Sequence, residues 1–178
     1  MSFFRKISIT LLSASLFILG CVSTACNASE PSITIEQSDD VSIYSTVIRQ
    51  IYDRIYQCNA VYIIRYTDDT NFDPRTKPSE PILLSETMQS EITIMLQDLP
   101  AEIVWVNSSD EVEKGSYGEV LDRGVIITIG NIQPQDNGTV QIYASQFMAP
   151  LCAEGDTYVL EFIEGIWKIT GNTMLWIS

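Results

Sequence analysis

The sequence predicts an α+β domain in which two amphipathic helices pack on a mainly antiparallel sheet that ends in a four-strand meander. Two segments carry apolar residues at spacings of three and four, which is typical of helices with one buried face. The last third of the chain alternates apolar runs with turn residues, which is typical of hairpins. Because apolar strands need a cover, we expect the helices to lie over one face of the sheet.

The first helix is expected within residues 42–58, where the charged side chains lie opposite an apolar face. Asp39 or Asp40 is expected to cap its start. The apolar face consists of Tyr44, Val47, Ile48, Ile51, Tyr52, Ile55 and Tyr56.

The second helix is expected within residues 85–99, with Ser85 as its N-cap and Pro100 as its end. Glu86 and Glu91 lie on its polar side. Its buried stripe is expected to consist of Met88, Ile92, Met95, Leu96 and Leu99.

Two short apolar segments, 60–66 and 102–106, are expected to be buried strands, the first of them central in the sheet. Strands of the meander follow from residue 124 onwards. Asn137-Gly138 and Glu164-Gly165 are expected to form tight turns between strands, because both pairs tolerate positive φ. A further turn is expected over residues 149–156.

The chain is strongly acidic, with 10 Lys and Arg against 23 Asp and Glu. Two of the cations, Arg5 and Lys6, precede an apolar run. Without them the net charge is −15, since eight cations then face 23 acids. Such a field repels phosphate backbones, so nucleic acid is excluded as an expected partner.

Residues 1–20 are expected to be an export signal rather than a membrane span. The apolar run over residues 7–20 would extend only about 21 Å as a helix, whereas a bilayer core needs about 30 Å. A short positive segment followed by a short apolar run is the order found in signal peptides.

The end of this run, "ILGC" at residues 18–21, resembles the lipobox of bacterial lipoprotein signal peptides. The resemblance implies cleavage before Cys21 and attachment of a diacylglyceryl group to its thiol. Cys26 is a weaker second candidate, and ordinary cleavage after Ala28 is the alternative. The lipid would hold the domain on the extracytoplasmic side of a bacterial membrane. Residues 21–40 would then be a lipidated cysteine and a flexible tether that reaches roughly 24 Å.

Beyond the leader, the cysteines of interest are Cys58 and Cys152. Export would place them in an oxidising compartment, where a disulfide between them would close a loop of about 94 residues. Two buried free thiols are the alternative. The chain has no histidine and no CxxC pair, so zinc sites of Cys and His are excluded.

Three carboxylates, Asp68, Asp69 and Asp73, follow the first predicted strand and are weak candidates for a cation site. The same residue types also form solvated turns. A second acidic loop contains Glu111, Glu113, Glu119 and Asp122. Catalysis by a Ser-His-Asp or Cys-His group is excluded without histidine, so no catalytic residue is assigned.

The C-terminal segment, residues 151–178, resembles the closing segment of uncharacterised exported bacterial proteins. The pattern includes a Gly-x-Trp-Lys-Ile strand and a final Trp-Ile-Ser. A looser resemblance is to the nuclear-transport-factor-like cone fold, although the helix–strand alternation at 42–106 fits it poorly. The matching residues are Leu151, Cys152, Gly155, Tyr158, Gly165, Trp167, Lys168, Ile169, Trp176, Ile177 and Ser178.

These observations favour a lipid-anchored, non-enzymatic domain in the bacterial cell envelope that binds a protein or a small molecule, with no cofactor. A hydrolase that uses carboxylates or a metal is one alternative, which convergent acids in one pocket would favour. A purely structural envelope component is the other alternative, and it would have no pocket of useful size.

Overall fold

The computed structural model describes residues 37–55, 58–70 and 79–178, which belong to one compact unit, Ser32–Ser178. The predicted signal peptide, Cys21 and residues 21–36 of the predicted tether lie outside the described residues, as does Asp73. Within the part that is described, no helix is long and apolar enough to cross a membrane.

The first helix, α1, spans Gln37–Arg54 and begins earlier than predicted. Asp39 and Asp40 therefore lie in its first turn instead of capping it. The helix dipole stabilises negative side chains at this position. Residues 37–40 of the predicted tether are thus helical. The apolar face was predicted correctly for the residues that are buried under the helix, namely Tyr44, Val47, Ile48, Ile51 and Ile55.

The second helix, α2, spans Glu86–Met95, and the hydroxyl of Ser85 accepts a hydrogen bond from the Met88 N–H at 3.2 Å. This confirms the predicted N-cap. The helix ends one turn early, because the Leu96 N–H is shared between the carbonyls of Ile92 and Thr93. Met95 was predicted to be buried and is instead 50% exposed, whereas Ile92 and Leu96 are fully buried.

One mixed sheet of seven strands forms the body of the domain, in the order β2-β1-β3-β5-β6-β7, with β4 paired to β5. The β2–β1 and β1–β3 pairs are parallel, and all other pairs are antiparallel. The predicted α+β class with a C-terminal meander is confirmed. The strands are β1 (Ala60–Ile64), β2 (Glu102–Val106), β3 (Gly124–Ile129), β4 (Gln133–Pro134), β5 (Val140–Ala149), β6 (Cys152–Ile163) and β7 (Ile166–Ile177).

The parallel strands depend on a crossover, since β1 and β2 can run in the same direction only if a long connection separates them. The segment with α2 is that connection. Strand β1 is internal, as predicted. Strand β2 was predicted to be a buried strand but lies at the edge of the sheet, where Val106 alone of its five residues is buried.

The meander has fewer interruptions than predicted. Gly138 and Gly165 adopt φ of +81° and +85°, which confirms both tight turns. The turn predicted over residues 149–156 is much shorter, because β6 already begins at Cys152. Strand β7 continues over 12 residues, and its register with β6 shifts near Gly155 and Val159 of β6, as at β-bulges.

Successive side chains of a strand point to opposite faces of the sheet, so the sheet separates two apolar clusters. The larger one lies under the two helices and includes Ile63, Ile127 and Leu160. The smaller one lies on the other face, beneath residues 107–123. Its buried members are Val106, Val112, Val120 and Ile126.

Polar contacts fix both ends of α1 to the meander. Near its start, the indole N–H of Trp167 donates to the Asp39 carboxylate at 3.2 Å. At its end, Arg54 contacts two acids of β6, Glu154 at 2.5 Å and Asp156 at 2.6 Å. The helix therefore lies along β6 and β7 in a defined orientation, which positions its first two turns over one end of the sheet.

Candidate functional site

The acidic loop after β1 has a structural role in the described residues. Asp69 is buried, and its two carboxylate oxygens accept hydrogen bonds from the backbone N–H and the side-chain amide of Asn131, both at 2.9 Å. Asp68 accepts from the Thr70 N–H at 2.8 Å, as in an ordinary turn. Asp68 and Asp69 are thus used by the fold. Among the described residues, no three acids or cysteines lie close enough to hold a metal ion.

The second acidic loop is also organised by its own hydrogen bonds. Glu111 accepts from the backbone N–H of Asn107 at 2.9 Å and from its side-chain amide at 2.6 Å. These bonds hold the pKa of Glu111 below its usual range. Glu119 accepts from the Tyr117 N–H at 3.0 Å. These two acids stabilise the loop that covers the helix-free face of the sheet, and neither of them lines the two cavities described below.

The two cysteines are free thiols, so the predicted Cys58–Cys152 disulfide is absent. Strands β3 and β5 lie between β1 and β6, which implies a separation of about 14 Å at roughly 4.8 Å per strand. A disulfide needs Cα atoms within about 7 Å. Cys58 is buried and its thiol donates to the Ala60 carbonyl at 2.9 Å, while burial raises its pKa. Cys152 is exposed, contrary to the alternative of two buried thiols.

A buried polar cluster that the sequence did not predict lies under the end of α1. Arg54 contacts Asp156 and donates to the hydroxyl of Tyr158 at 3.2 Å. Burial, and then the neighbouring Asp156 carboxylate, raises the pKa of Tyr158. Asp156 is 1% exposed, and its charge is compensated by Arg54. These contacts connect α1 to β6, and we assign the cluster a structural role.

The strongest candidate site is a cleft of about 540 Å³ between the start of α1, the start of α2 and the end of β3. This volume lies within the range of small-molecule sites, roughly 300–1,000 Å³. Most of its wall is apolar. The lining residues are Asp40, Tyr44, Ile82, Leu83, Leu84, Ser85, Met88, Asn131, Ile132 and Pro134.

One wall of the cleft, residues 82–85, is held by backbone pairing with the end of β1. The Leu84 N–H donates to the Arg65 carbonyl at 2.9 Å, and the Thr67 N–H donates to the Ile82 carbonyl at 3.0 Å. The Thr67 hydroxyl also accepts a hydrogen bond from the Ile82 N–H at 2.8 Å. The wall is therefore fixed before any ligand binds, so binding does not have to offset the entropy cost of ordering this segment.

The opposite wall depends on Asn131, which Asp69 and Thr67 hold in place. The Thr67 hydroxyl donates to the Asn131 side-chain oxygen at 2.5 Å, and the Asn131 amide donates to Asp69 and to the Glu80 carbonyl. All polar groups of the Asn131 side chain are thus used. The candidate metal ligand Asp69 consequently serves as a positioning residue for the cleft.

Two ionisable groups of α1 face the cleft, Asp40 and Tyr44, one helical turn apart. Burial raises the pKa of Asp40, and the neighbouring Asp39 carboxylate raises it further. Burial also raises the pKa of Tyr44, with Asp40 and Asp69 as smaller causes, so its hydroxyl stays neutral. The polar backbone of Ile132, near this hydroxyl, partly opposes the rise of its pKa. The cleft thus presents one carboxylate within an apolar surround.

A second, smaller cavity of about 360 Å³ lies on the helix-free face of the sheet. It contains one acid, Asp68, and one cation, Lys114, whose ammonium lies 6.0 Å from the ring centroid of Phe147. At that distance the cation–π contact is weak. This cavity is smaller and more polar than the cleft, which remains the better candidate.

The sequence predicted few of the cleft residues. Asp40 was considered only as a helix cap and Ser85 only as an N-cap, and Asn131 was not singled out. Comparison of the chain with known protein families, curated proteins and solved structures gives no match. Evidence for a function therefore comes from the residues of the cleft themselves.

Proposed function

We propose that this protein is a lipid-anchored exported domain that binds a small, largely apolar molecule in the cleft between α1, α2 and the end of β3. The cleft carries the binding part of the proposal, because its volume and apolar walls suit a small organic ligand. The lipobox-like "ILGC" supports the anchoring part, with Cys21 as the attachment residue. The domain would act on the extracytoplasmic side of a bacterial membrane.

The walls of the cleft supply enough apolar surface for measurable binding. Burial of each methylene group contributes about 0.8 kcal/mol, so an eight-carbon chain gains at most about 6 kcal/mol. The cleft is open on one side, and association itself costs several kcal/mol. The full 6 kcal/mol would correspond to a Kd of roughly 40 µM, and the two costs weaken this, so we expect a generic eight-carbon ligand to bind with a Kd of roughly millimolar order or weaker.

The anchor is tested by mass spectrometry of the mature N-terminus in a bacterial host that processes lipoproteins. We expect an acylated Cys21 as the first residue, and membrane release or an unprocessed precursor after Cys21→Ser. Cys26→Ser is the matched control and should leave the protein in the membrane. A free N-terminus at Ser29 in the wild-type protein would contradict the proposal.

The cleft is tested by titration of residues 21–178, carrying Cys21→Ser, with 1-octanol as a neutral apolar probe. Leu83 lines the cleft and is 54% exposed, so Leu83→Gln should weaken octanol binding several-fold without disturbing the core. Leu151→Gln is the matched control, because Leu151 is 89% exposed and lies outside the cleft. Absence of octanol binding to the wild-type protein, or equal loss in both variants, would contradict the proposed site.

A further inference from the structure

We propose that the cleft selects organic cations, with an ammonium group beside the Asp40 carboxylate and an apolar body against the walls of the cleft. This inference rests on the proposed binding function and adds the chemical class of the ligand. The chemical class of the ligand is inferred from the charge and the hydrogen-bonding capacity of the polar side chains that line the cleft.

The other polar side chains among the described lining residues are an amide that the protein uses fully and two neutral hydroxyls. Asn131 makes hydrogen bonds with its side-chain oxygen and its amide, as described above. The Ser85 hydroxyl caps α2 by accepting from the Met88 N–H. The Tyr44 hydroxyl lies near the backbone of Ile132 and stays neutral, because burial raises its pKa. Among the described residues that line the cleft, the Asp40 carboxylate is therefore the charged group, whereas the Ser85 and Tyr44 hydroxyls can add only neutral hydrogen bonds to a head group.

Among the described residues, the Asp40 carboxylate has no cationic partner and the lining of the cleft contains neither Lys nor Arg. Its surroundings disfavour the charge, because partial burial and the Asp39 carboxylate both raise its pKa. Buried charges in proteins are normally paired, since desolvation of an isolated charge is costly. An ammonium group in the cleft would supply that pairing and could donate directly to the carboxylate.

The charge of the whole chain acts in the same direction. Without the two leader cations the net charge is −15, so the field around the domain attracts cations and repels anions. An anionic ligand of the same shape would meet the Asp40 carboxylate and this field together. A fatty acid is therefore disfavoured for this cleft, although its chain would suit the apolar walls.

Three probes with the same eight-carbon chain separate charge from shape: n-octylammonium, 1-octanol and n-octanoate. Each is titrated into residues 21–178, carrying Cys21→Ser, at neutral pH and low ionic strength. We expect octylammonium to bind about tenfold more tightly than octanol, the magnitude of one charge-assisted hydrogen bond, and octanoate to bind most weakly. Equal binding of octylammonium and octanol would overturn the inference and leave the proposed function standing. Binding of none of the three would overturn both.

The role of Asp40 is tested with an isosteric substitution and a control on the same helix. Asp40→Asn should reduce octylammonium affinity about tenfold, to the level of octanol, and should leave octanol binding unchanged. Asp53→Asn removes the same charge from an exposed position of α1 and should change octylammonium affinity less than twofold. Equal effects of the two substitutions would assign the preference to the general field and overturn a specific role for Asp40.

A charge introduced into the cleft provides an independent measurement. Leu83→Lys places an ammonium group at the rim of the cleft, and Leu83 is exposed enough to tolerate it. This variant should lose the preference for octylammonium and bind octanoate more tightly than the wild-type protein does. The matched control, Leu151→Lys, should keep the original order of the three probes. Retention of the octylammonium preference in Leu83→Lys would contradict the assigned site.

Discussion

Removal of the Arg54 side chain is predicted to be one of the most destabilising single changes on α1. Asp156 is 1% exposed, and its carboxylate lies 2.6 Å from the Arg54 guanidinium. In Arg54→Met, the buried Asp156 carboxylate would lose its cationic partner and keep the Tyr158 hydroxyl, which donates to it at 3.3 Å. Breaking a buried ion pair in this way costs about 3–5 kcal/mol. The Arg54 side chain is 30% exposed, which lets water compensate in part, so we expect about 2–4 kcal/mol.

A double substitution distinguishes the free-energy cost of leaving Asp156 without a cation from the net contribution of the ion pair to stability. Arg54→Met with Asp156→Leu replaces both partners by apolar groups of similar size, and such replacements are often neutral or stabilising. We therefore expect the double variant to be at least about 1 kcal/mol more stable than Arg54→Met alone.

Urea unfolding followed by far-UV circular dichroism measures these free energies in residues 21–178. With an m-value of about 2 kcal/mol/M, in the middle of the usual range for small proteins, the single substitution should lower the unfolding midpoint by about 1–2 M. Arg49→Met is the matched control, since Arg49 pairs with the exposed Asp98 and should cost less than about 1 kcal/mol. Equal stability of Arg54→Met and Arg49→Met would refute the assignment of a buried ion pair.

Three further predictions concern the core, the cleft wall and pH. Ile127 is fully buried between β1 and β5, so Ile127→Ala should cost about 2–5 kcal/mol in urea unfolding, whereas Ile166→Ala, at a 55% exposed position, should cost under about 1 kcal/mol. A Cβ atom at Gly130 would overlap the Asp69 carboxylate, so Gly130→Ala should lower stability and weaken octanol binding together; an unchanged affinity would contradict the link between Asp69 and the cleft. Because the pKa of Glu111 is lowered in the folded protein, its contribution to stability is present above the unfolded value and is lost as pH falls through the folded value. Glu111→Gln should therefore lower the unfolding midpoint at neutral pH but not at about pH 2, and an equal effect at both pH values would contradict this.

The parts of the fold that the sequence predicted well are those with strong local signals. The apolar face of α1, the Ser85 cap and the Asn137-Gly138 turn follow from periodicity and backbone preference alone. The errors arise where distant contacts decide the outcome. Met95 loses its predicted burial because α2 ends there. Strand β2 lies at the edge of the described sheet because it pairs only with β1, a strand about 40 residues away in the sequence.

The cleft was largely unpredictable because its lining comes from three segments that are far apart in the sequence. Asp40, Leu84 and Asn131 meet only after β1 and β3 pair and α1 lies over the sheet. The sequence indicated the acidic loop after β1 as a candidate site, and the structure places Asp69 of this loop next to Asn131 in the wall of the cleft. Its chemistry differed from the prediction, because Asp69 is consumed by hydrogen bonds to Asn131 and not left free for a cation.

The central claim is that a small apolar ligand enters the cleft, and the methionine methyl groups of the domain can test it directly. Met88 lines the cleft, whereas Met95, Met148 and Met174 do not. In residues 21–178 labelled with ¹³C at the methionine methyl groups, titration with 1-octanol should shift the Met88 signal and leave the other three nearly unchanged. Shifts confined to Met174, on the exposed part of β7, or spread equally over all four signals would contradict the account.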